Sequence, residues 1–391
     1  MHINDLLKIA VSKGGSDLHL KVGNQPIVRV NGHLQPLVDQ KRLMQEDTIS
    51  LAFSMMNSNQ REKFKTNCEI DLAYSVPGLG RFRVNCFMQR GTVGLVLRVI
   101  PMKILSFKEL FLPPVMEKLS MEQRGLIICT GTTGSGKSTT LASMVDYVNI
   151  HRVEHIMTIE DPIEYLHRDK KSIINQREVG ADTKSFFNAL RVALRQDPDV
   201  ILVGEMRDFD TIETAITAAE TGHLVLSTLH TLDATETINR IIAFFPPHQQ
   251  KQIRLQLAGV LKGIISQRLM PRADGKGRIP AIEIMVSTPL IKDYIIDKEK
   301  TKDIRDAIAD GVSQYGMQTF DQCLLRLFNQ KLITLEEALR RCTNPDDFQL
   351  KLKGISSTSD ISRAEMEDAA ELTAVEESVE NDNPFDFTNQ P

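Results

Sequence analysis

The chain has 391 residues, of which 41% are hydrophobic and 25% are charged, and its formal net charge is −4 at pH 7. A chain of this length is too long to fold around a single hydrophobic core, so we expect two domains with additional segments. The five cysteines are scattered without a CxxC pair, which argues against a zinc ribbon or a disulfide scaffold and fits a reducing cytosol. No apolar run reaches the ~20 residues that span a bilayer, so any membrane contact is expected to go through partner proteins.

The first residues predict the short helices and strands of an α+β domain. Residues 4–13 are spaced as an amphipathic helix, and the segment 17–20 continues as a strand. Residues 26–33 have the pattern of a hairpin with a type I′ turn at Asn31 and Gly32. We therefore assign residues 1–100 to an N-terminal domain.

A second pair of strands is predicted before the end of that domain. Residues 81–88 alternate between apolar and polar side chains, and residues 95–100 return as a strand that carries Arg98. The apolar side chains that should face the core are Phe82, Val84, Cys86 and Met88. Prolines at 101 and at 113–114 bracket a predicted linker over 101–114.

The pattern changes after the linker, where short apolar runs alternate with helical stretches. These runs cover residues 126–130, 156–159, 200–203 and 224–227. Continuous apolar strands separated by helices predict a parallel sheet covered on both faces. From about residue 247 helices dominate the pattern, and we expect one over 252–269 and another over 334–341. The predicted boundaries are 115–285 for this α/β domain and 286–354 for a helical C-terminal part.

The last segment, 355–391, differs in composition from the rest of the chain. It contains ten acidic residues and one basic residue, Arg363, which gives a net charge of −9 and leaves +5 on the remainder of the chain. Such a segment is short of aliphatic side chains, so we expect a disordered tail. An acidic tail also disfavours nucleic acid as a partner.

A phosphate-binding loop of the form GxxxxGK[ST] covers residues 131–138. Glycines allow such a loop to point its backbone N–H groups at phosphate oxygens, and the following helix adds its N-terminal dipole. We expect Lys137 to reach the β- and γ-phosphates of ATP and the hydroxyl of Ser138 to ligate Mg²⁺. The residues predicted to bind the nucleotide are Gly131, Thr132, Thr133, Gly134, Ser135, Gly136, Lys137, Ser138 and Thr139.

Acidic residues follow two other predicted strands. The strand 200–203 ends in Gly204 and Glu205, and Glu205 is expected to hold the metal through water or to orient the attacking water. The stretch MTIEDPIEY, residues 157–165, places Glu160, Asp161 and Glu164 around a proline. Carboxylates this close repel one another unless a cation or a reacting proton lies among them.

The carboxyl ends of parallel strands meet at one edge of a sheet, which is where open α/β sheets bind their ligands. We therefore expect these acids to converge on one Mg²⁺–triphosphate. Glu164 is favoured as the base and Glu160 as a water or metal partner, although their spacing alone does not rank them. His230 follows a further strand and is expected to sense the γ-phosphate or to hydrogen-bond to the next subunit.

The charge that develops during phosphoryl transfer calls for additional cations, often arginines from a neighbouring subunit. Arg81, Arg83 and Arg98 are predicted on one face of the N-terminal domain and could act in trans on the next subunit's nucleotide. A solvated basic sheet face is the plainer interpretation of the same pattern. Arg191 and Arg195, on the helix before residue 200, are the alternative within one subunit.

The motifs together are similar to those of one family, the pilus retraction ATPases of the secretion superfamily, over about residues 1–350. The resemblance rests on several ordered segments: GSDLHL at 15–20, the phosphate loop, MTIEDPIEY at 157–165, NQREVG at 175–180, LRQDPDVILVGEMRD at 194–208, ETGHLVLSTLHT at 220–231, ISQRL at 265–269 and GMQTFDQ at 316–322.

The resemblance implies a PAS-like N-terminal domain and a RecA-like P-loop ATPase domain in an α/β subunit, assembled as a homohexamer. It implies an ATP hydrolase that drives type IV pilus retraction, and hence twitching motility, through an inner-membrane platform protein. The subunit would then be cytoplasmic and peripheral at the inner face of the inner membrane, with ATP and Mg²⁺ as cofactors. Extension motors of the superfamily carry a four-cysteine zinc motif that this chain lacks.

Other functions stay open at this point. The GMQTFDQ segment and the acidic tail are similar to those of an accessory retraction paralogue, so the chain could be the principal motor, its helper, or a partner of a paralogous pilus ATPase. A related type II or type IV secretion or DNA-uptake ATPase, a non-hydrolysing adaptor and a RecA-type helicase are the remaining alternatives. The sequence shows no aromatic and basic platform for stacking single strands, so nucleic acid is not expected as a partner.

Overall fold

The computed structural model describes residues 2–30, 32–100 and 103–353. They group into two units, one formed by the first 104 residues with the segment 162–168, the other by residues 105–161 with the described residues after 168. The predicted tail and the residue Asn31 of the predicted hairpin turn lie outside the described residues. The domain boundaries given above stay a prediction. Among the described residues, no helix combines the length and apolar character that crossing a membrane requires.

The first unit is built on an antiparallel sheet. Its elements are α1 (Ile3–Ser12), β1 (Asp17–Leu20), β2 (Ile27–Val30), β3 (His33–Pro36), α2 (Gln45–Ser54), α3 (Ser58–Asn67), β4 (Glu69–Val76), β5 (Gly80–Gln89) and β6 (Thr92–Ile100). The strands are ordered β3-β2-β1-β6-β5-β4, and all neighbours are antiparallel. The predicted helix, strands and hairpin are therefore confirmed, and Val30 pairs with His33 across the hairpin.

Alternation along β5 divides the sheet into an apolar and a polar face. Phe82, Val84 and Cys86 are fully buried in the core of the first unit, where they pack with α1. Met88, which the alternation placed in the same row, is 41% exposed, because it lies beside the turn that ends the strand. The alternation of apolar residues thus predicted which face of β5 is buried, but it did not predict that the buried part of that face ends before Met88.

The second unit contains a larger sheet. Its strands are β7 (Gly125–Thr130), β8 (His155–Glu160), β9 (Ile173–Glu178), β10 (Val200–Val203), β11 (Leu224–Leu229), β12 (Leu261–Pro271) and β13 (Arg278–Val286). Its helices are α4 (Val115–Ser120), α5 (Lys137–His151), α6 (Phe186–Ala193), α7 (Phe209–Glu220), α8 (Ala234–Ala243), α9 (Gln250–Val260), α10 (Pro289–Ile296), α11 (Ile304–Asp310), α12 (Val312–Tyr315), α13 (Phe320–Asn329), α14 (Leu335–Arg341) and α15 (Pro345–Leu352), with a 3₁₀ turn at Lys298–Asp303.

This sheet has the order β13-β12-β7-β11-β10-β8-β9 and is parallel except for the edge strand β13. Every residue of β7, β10 and β11 is buried, because helices cover both faces. One face packs with α6, α7, α8 and α9, and the other packs with α4 and α5. The predicted α/β class with a doubly covered parallel sheet is confirmed.

The predicted helix over 252–269 is wrong in its second half. Helix α9 ends at Val260, and β12 begins at the next residue and pairs with β7 on one side and β13 on the other. Apolar residues at 260, 261, 264, 265 and 269 suit a helical period as well as a strand buried on both faces. The structure also contains β9, which the apolar pattern did not reveal, whereas the predicted helix over 334–341 is confirmed as α14.

Candidate active site

The phosphate-binding loop joins β7 to α5, and φ is positive at all three of its glycines, Gly131, Gly134 and Gly136. Gly131 has φ +136° and Gly136 has φ +97°, both in the region that side chains avoid. A Cβ atom at position 131 would also lie 2.3 Å from the carbonyl oxygen of Gln267 on β12. The loop is therefore held against the neighbouring strand in a conformation that only glycine allows.

Lys137 begins α5 and turns its side chain back into the loop. Only 8% of the residue is exposed, and its Nζ donates to the carbonyl oxygens of Gly131 at 2.7 Å and of Thr132 at 3.0 Å. The ammonium group is thus placed inside the loop, where it would meet phosphate oxygens. The hydroxyl of Ser135 is also buried, and it has no hydrogen-bond partner among the described residues. A buried cation and an unpaired hydroxyl fit an anionic, oxygen-rich ligand.

A cavity of about 260 Å³ opens beside the loop. Three arginines line it together with the loop residues, and the sequence patterns had not singled them out. They are Arg268, Arg278 and Arg341. The guanidinium of Arg268 lies 3.9 Å from the ring centre of Phe320 and donates to the carbonyl oxygen of Arg341 at 3.1 Å. The cavity is therefore positively charged as well as adjacent to the loop.

Glu205 and His230 are brought together, as their positions at strand ends predicted. Glu205 follows β10 and is 9% exposed, and its Oε2 lies 3.4 Å from Nε2 of His230, which follows β11. The other carboxylate oxygen pairs with the guanidinium of Arg207, two residues along the chain. Arg207 was not among the predicted site residues, although it lies within the segment 194–208. Glu205 is thus fixed between a cation and an imidazole at the end of its strand.

Glu160 ends β8, next to β10 in the sheet. Its Oε1 accepts hydrogen bonds from Thr158 Oγ1 at 2.7 Å and from Gln176 Nε2 at 3.1 Å. Gly204 lies close beside it, since a Cβ atom there would be 3.4 Å from the Cα of Glu160. The two hydrogen bonds orient the carboxylate, and the backbone of Glu160 lies directly beside Gly204, the residue before Glu205.

The exposed residue Glu164 lies in the segment 162–168, which groups with the first unit. The phosphate loop belongs to the second unit, so the role of Glu164 as the base stays a prediction. No cluster of three or more His, Cys, Asp or Glu side chains suited to a metal occurs among the described residues. Ser138 and Glu205 stay the predicted magnesium ligands.

The first-unit arginines do share one sheet face. Arg83 of β5 pairs in register with Arg98 of β6, and Arg98 in turn faces Asp17 of β1. Arg98 Nε donates to Asp17 Oδ1 at 2.8 Å, and Arg29 lies 3.9 Å from the other oxygen. Burial opposes ionisation of Asp17, yet hydrogen bonds from Arg98 and Ser16 outweigh it and hold the pKa of Asp17 below its ordinary value.

The other arginines that the sequence singled out have different surroundings. Arg81 lies two residues before Arg83 on β5, so its side chain is directed to the same face. Arg98 is paired with Asp17, whereas Arg83 is exposed and has no ion pair among the described residues. Arg191 of α6 lies over the ring of Phe187 at 5.7 Å, and Arg195 is exposed after the same helix.

Comparison with known proteins shows which family carries this arrangement. The profile of the type II/IV secretion system protein family matches residues 1–340. The chain is 46% identical over 348 residues to "Type IV pilus retractation ATPase PilT" of Pseudomonas aeruginosa, which covers 89% of this chain and 100% of that protein. It is 45% identical over 360 residues to "Type IV pilus ATPase PilU" of the same organism, covering 92% and 93% of the two chains.

Two solved structures extend the comparison. The crystal structure of the pilus retraction motor PilT with bound ADP has a TM-score of 0.83 and 49% identity, over 89% of this chain and 98% of that chain. The ATPase DotB of Legionella pneumophila has a TM-score of 0.74 and 26% identity, over 90% and 96%. The chain therefore belongs to the type II/IV secretion system protein family, and its predicted resemblance to the pilus retraction ATPases is confirmed.

Proposed function

We propose that this chain is a motor subunit that binds ATP with Mg²⁺ and uses hydrolysis to drive retraction of a type IV pilus. The observation that supports it most is Lys137, a buried cation turned into a loop whose shape requires glycine at 131. The chain is a P-loop ATPase of the retraction family, and the relatives named for pilus retraction and twitching motility cover most of its length.

The residues of the second unit would divide the chemistry among them. Backbone N–H groups of the loop, the ammonium of Lys137 and the hydroxyl of Ser135 would hold the β- and γ-phosphates. Ser138 and Glu205 would hold the magnesium ion, whose charge offsets the negative charge that develops on the phosphates during transfer. His230, which is hydrogen-bonded to Glu205, would sense whether the γ-phosphate is present. Glu160, already oriented by Thr158 and Gln176, would position water.

Two parts of this mechanism involve the first unit. Glu164 would deprotonate the attacking water, and arginines of a neighbouring subunit, Arg81, Arg83 and Arg98, would neutralise charge on the γ-phosphate. Action in trans requires a ring, so the proposal includes a homohexamer. It also includes an inner-membrane platform protein as the element that turns ATP hydrolysis into fibre disassembly, with the ring on the cytoplasmic face of that membrane.

A second candidate has specific support. Identity to the PilU relative, 45%, is nearly equal to the 46% for PilT, so the chain could be an accessory retraction ATPase that works beside a paralogous motor. A type II or type IV secretion ATPase is the more distant alternative. Deleting the gene separates these functions: loss of retraction with pili still extended supports the principal motor, whereas retraction that persists after the deletion supports the accessory role.

The enzymatic part is tested with purified protein, ATP and Mg²⁺. Lys137→Ala and Glu205→Gln should each lower ATP hydrolysis at least about a hundredfold, because each removes a charge that acts on the transferring phosphoryl group. Glu213→Gln is the matched control, since it makes the same carboxylate-to-amide change at an exposed position on α7. Hydrolysis by Glu205→Gln at the level of the control would refute the assigned role of Glu205.

A further inference from the structure

A row of buried polar side chains crosses the sheet of the second unit beside the phosphate loop. Thr130 of β7 pairs in register with Ser266 of β12, and Ser266 pairs with Glu283 of β13. The Thr130 hydroxyl donates to Ser266 Oγ at 3.0 Å, and the Ser266 hydroxyl donates to Glu283 Oε1 at 3.5 Å. The three side chains thus form one hydrogen-bonded line across three adjacent strands.

The same carboxylate oxygen reaches the start of a helix. Oε1 of Glu283 accepts the backbone N–H of Ala234, the first residue of α8, at 2.9 Å. This N–H is one of those that a helix leaves unsatisfied at its N-terminus, where a carboxyl group is also favoured by the helix dipole. Glu283 therefore joins the end of β7 to the beginning of α8 through a single oxygen atom.

The row lies in surroundings that are otherwise apolar. Thr130 and Ser266 are fully buried and Glu283 is 5% exposed, on the face whose core contains Ile264 and Met285. A buried carboxyl group is costly unless its hydrogen bonds compensate. An apolar side chain at position 283 would avoid that cost but would leave the Ala234 N–H and the Ser266 hydroxyl without this acceptor.

The two ends of the row adjoin the proposed catalytic residues. Thr130 directly precedes Gly131, the first residue of the phosphate loop. Ala234 directly follows the segment 230–233, which begins with His230, the partner of Glu205. This segment is short and tied to α8, because Thr231 Oγ1 contacts Thr237 Oγ1 at 2.7 Å and Leu232 N donates to Glu236 at 2.8 Å. A displacement of Ala234 therefore carries the segment with it.

We propose that Glu283 is a positioning residue which, through Ser266 and Thr130, couples the phosphate loop to the segment 230–233 and so holds His230 against Glu205. The inference rests on the proposed ATP hydrolysis and adds to it the route between two parts of that site. Glu283 contacts Ser266 and Ala234 and is not among the residues that line the cavity beside the phosphate loop. Its effect on hydrolysis arises because the N-terminus of α8 and the end of β7 share one hydrogen-bonding partner.

The proposal does not depend on the protonation state of Glu283. Burial raises the pKa of Glu283 to about 7, with Asp233 acting in the same direction and the Ala234 N–H, Arg268 and Arg305 acting against it. The carboxyl oxygen accepts the N–H of Ala234 in either state, and a glutamine amide oxygen would do the same. Glu283→Gln is therefore the conservative variant that keeps the acceptor, and Glu283→Ala is the variant that removes it.

Steady-state ATP hydrolysis of the full-length chain with Mg²⁺ provides the first test. Glu283→Ala should lower kcat about tenfold, since one buried hydrogen bond contributes roughly that factor, whereas KM should change little. Ser266→Ala should lower kcat less, because it cuts the connection to β7 and leaves the bond to Ala234. Glu283→Gln should keep kcat within about threefold of the unchanged protein.

A matched control separates positioning from general weakening. Met285→Val shortens a fully buried side chain on the same strand and the same face of the sheet, and Met285 takes no part in the hydrogen bonds of the row. It should lower the melting temperature and leave kcat unchanged. If Met285→Val lowers kcat as much as Glu283→Ala at a similar loss of melting temperature, or if Glu283→Gln is as impaired as Glu283→Ala, the positioning role is overturned.

Hydrogen–deuterium exchange keeps the inference testable apart from turnover. Adding ATP and Mg²⁺ should increase protection of the peptide that covers residues 229–238 in the unchanged protein, and Ser266→Ala should reduce that change while still binding ATP. If the unchanged protein binds ATP but does not hydrolyse it, the proposed function fails and the exchange result still decides the coupling. If Ser266→Ala retains both full turnover and the full change in protection, the coupling is absent.

Discussion

Gly131 shows how one residue fixes the shape of the phosphate loop. In Gly131→Ala, the new Cβ atom would lie 2.3 Å from the carbonyl oxygen of Gln267, and the φ of +136° is strained for alanine. The loop would therefore have to move away from β12. We expect the Kd for ATP, measured by calorimetry with Mg²⁺, to rise at least about tenfold, which corresponds to roughly 1.4 kcal/mol.

The same loop offers a matched comparison. Gly134 has φ +78° but no atom within 4 Å of a Cβ at that position, so Gly134→Ala bears only the conformational cost, about 1–2 kcal/mol for a left-handed residue. We therefore expect Gly131→Ala to weaken ATP binding more than Gly134→Ala. The reverse order would show that the contact with Gln267 does not hold the loop.

Glu283 gives the stability of the protein a pH dependence of known sign. Its pKa is about 7 in the folded chain against an ordinary value of 4.5, so the folded state holds the proton more tightly than the unfolded state. The contribution to the free energy of unfolding is fully present below pH 4.5 and is lost as pH rises to about 7, by roughly 3 kcal/mol.

Glu283→Gln cannot ionise and should escape that loss. Measured by urea unfolding, the variant should gain in stability relative to the unchanged protein between pH 5 and pH 8, by about 2–3 kcal/mol. Other groups titrate over the same range, but they titrate in both proteins and cancel in the difference. A difference that is flat or of opposite sign between these two pH values would contradict the burial of an ionisable carboxyl group.

At the scale of elements, the junction of α9 and β12 shows a limit of prediction from apolar spacing, because that spacing did not reveal where the helix ends and the strand begins. Gly259 and Gly263 are four residues apart, as on one face of a helix, yet the first lies in α9 and the second in β12. A Cβ at 259 would meet nothing within 4 Å, whereas one at 263 would lie 3.0 Å from the Leu119 side chain and 3.1 Å from the Met285 carbonyl oxygen.

The two glycines should therefore respond oppositely to alanine. Gly259→Ala should raise the free energy of unfolding by up to about 1 kcal/mol, because alanine favours an exposed helical position. Gly263→Ala should lower it by about 1–3 kcal/mol through overpacking. Thermal unfolding of both variants measures this contrast. If the helix continued to residue 269, both substitutions would stabilise the chain.

The sequence predicted the site best where strand order alone decides the position. Lys137, Glu205 and His230 follow neighbouring parallel strands, so their positions beyond the carboxyl ends of those strands, and the contact between Glu205 and His230, could be predicted from the apolar runs. Arg268 and Glu283 could not be predicted in this way. They lie in the segment where α9 gives way to β12 and β13, and their places depend on the register between those strands, which no local period reveals.

At the scale of the whole molecule, membership in the family links the ATPase site to pilus retraction, the activity for which its relatives are named. The matched residues 1–340 include the whole first unit and most of the second. The row of Arg83, Arg98 and Asp17 lies on a sheet face of the first unit, away from its own core. A basic face of this kind suits the phosphates of a nucleotide bound by another copy of the chain. If the arginines act on a neighbouring copy's nucleotide, the fraction of active sites in a ring mixed from two variants can be calculated.

Mixing two inactive variants tests whether the arginines act between subunits. Lys137→Ala removes the phosphate-loop cation, and Arg83→Ala removes an exposed arginine whose loss leaves the pair of Arg98 with Asp17 intact. In a ring assembled from equal amounts, about a quarter of the sites combine an intact Lys137 with an intact Arg83 from the neighbour, because each requirement is met half the time. ATP hydrolysis should therefore return on mixing. If Arg191→Ala is also inactive, its mixture with Lys137→Ala provides the control, since a residue that acts within its own subunit cannot be replaced by a neighbour. A mixture of Arg83→Ala with Lys137→Ala that stays inactive would contradict action of Arg83 on the nucleotide of a neighbouring subunit.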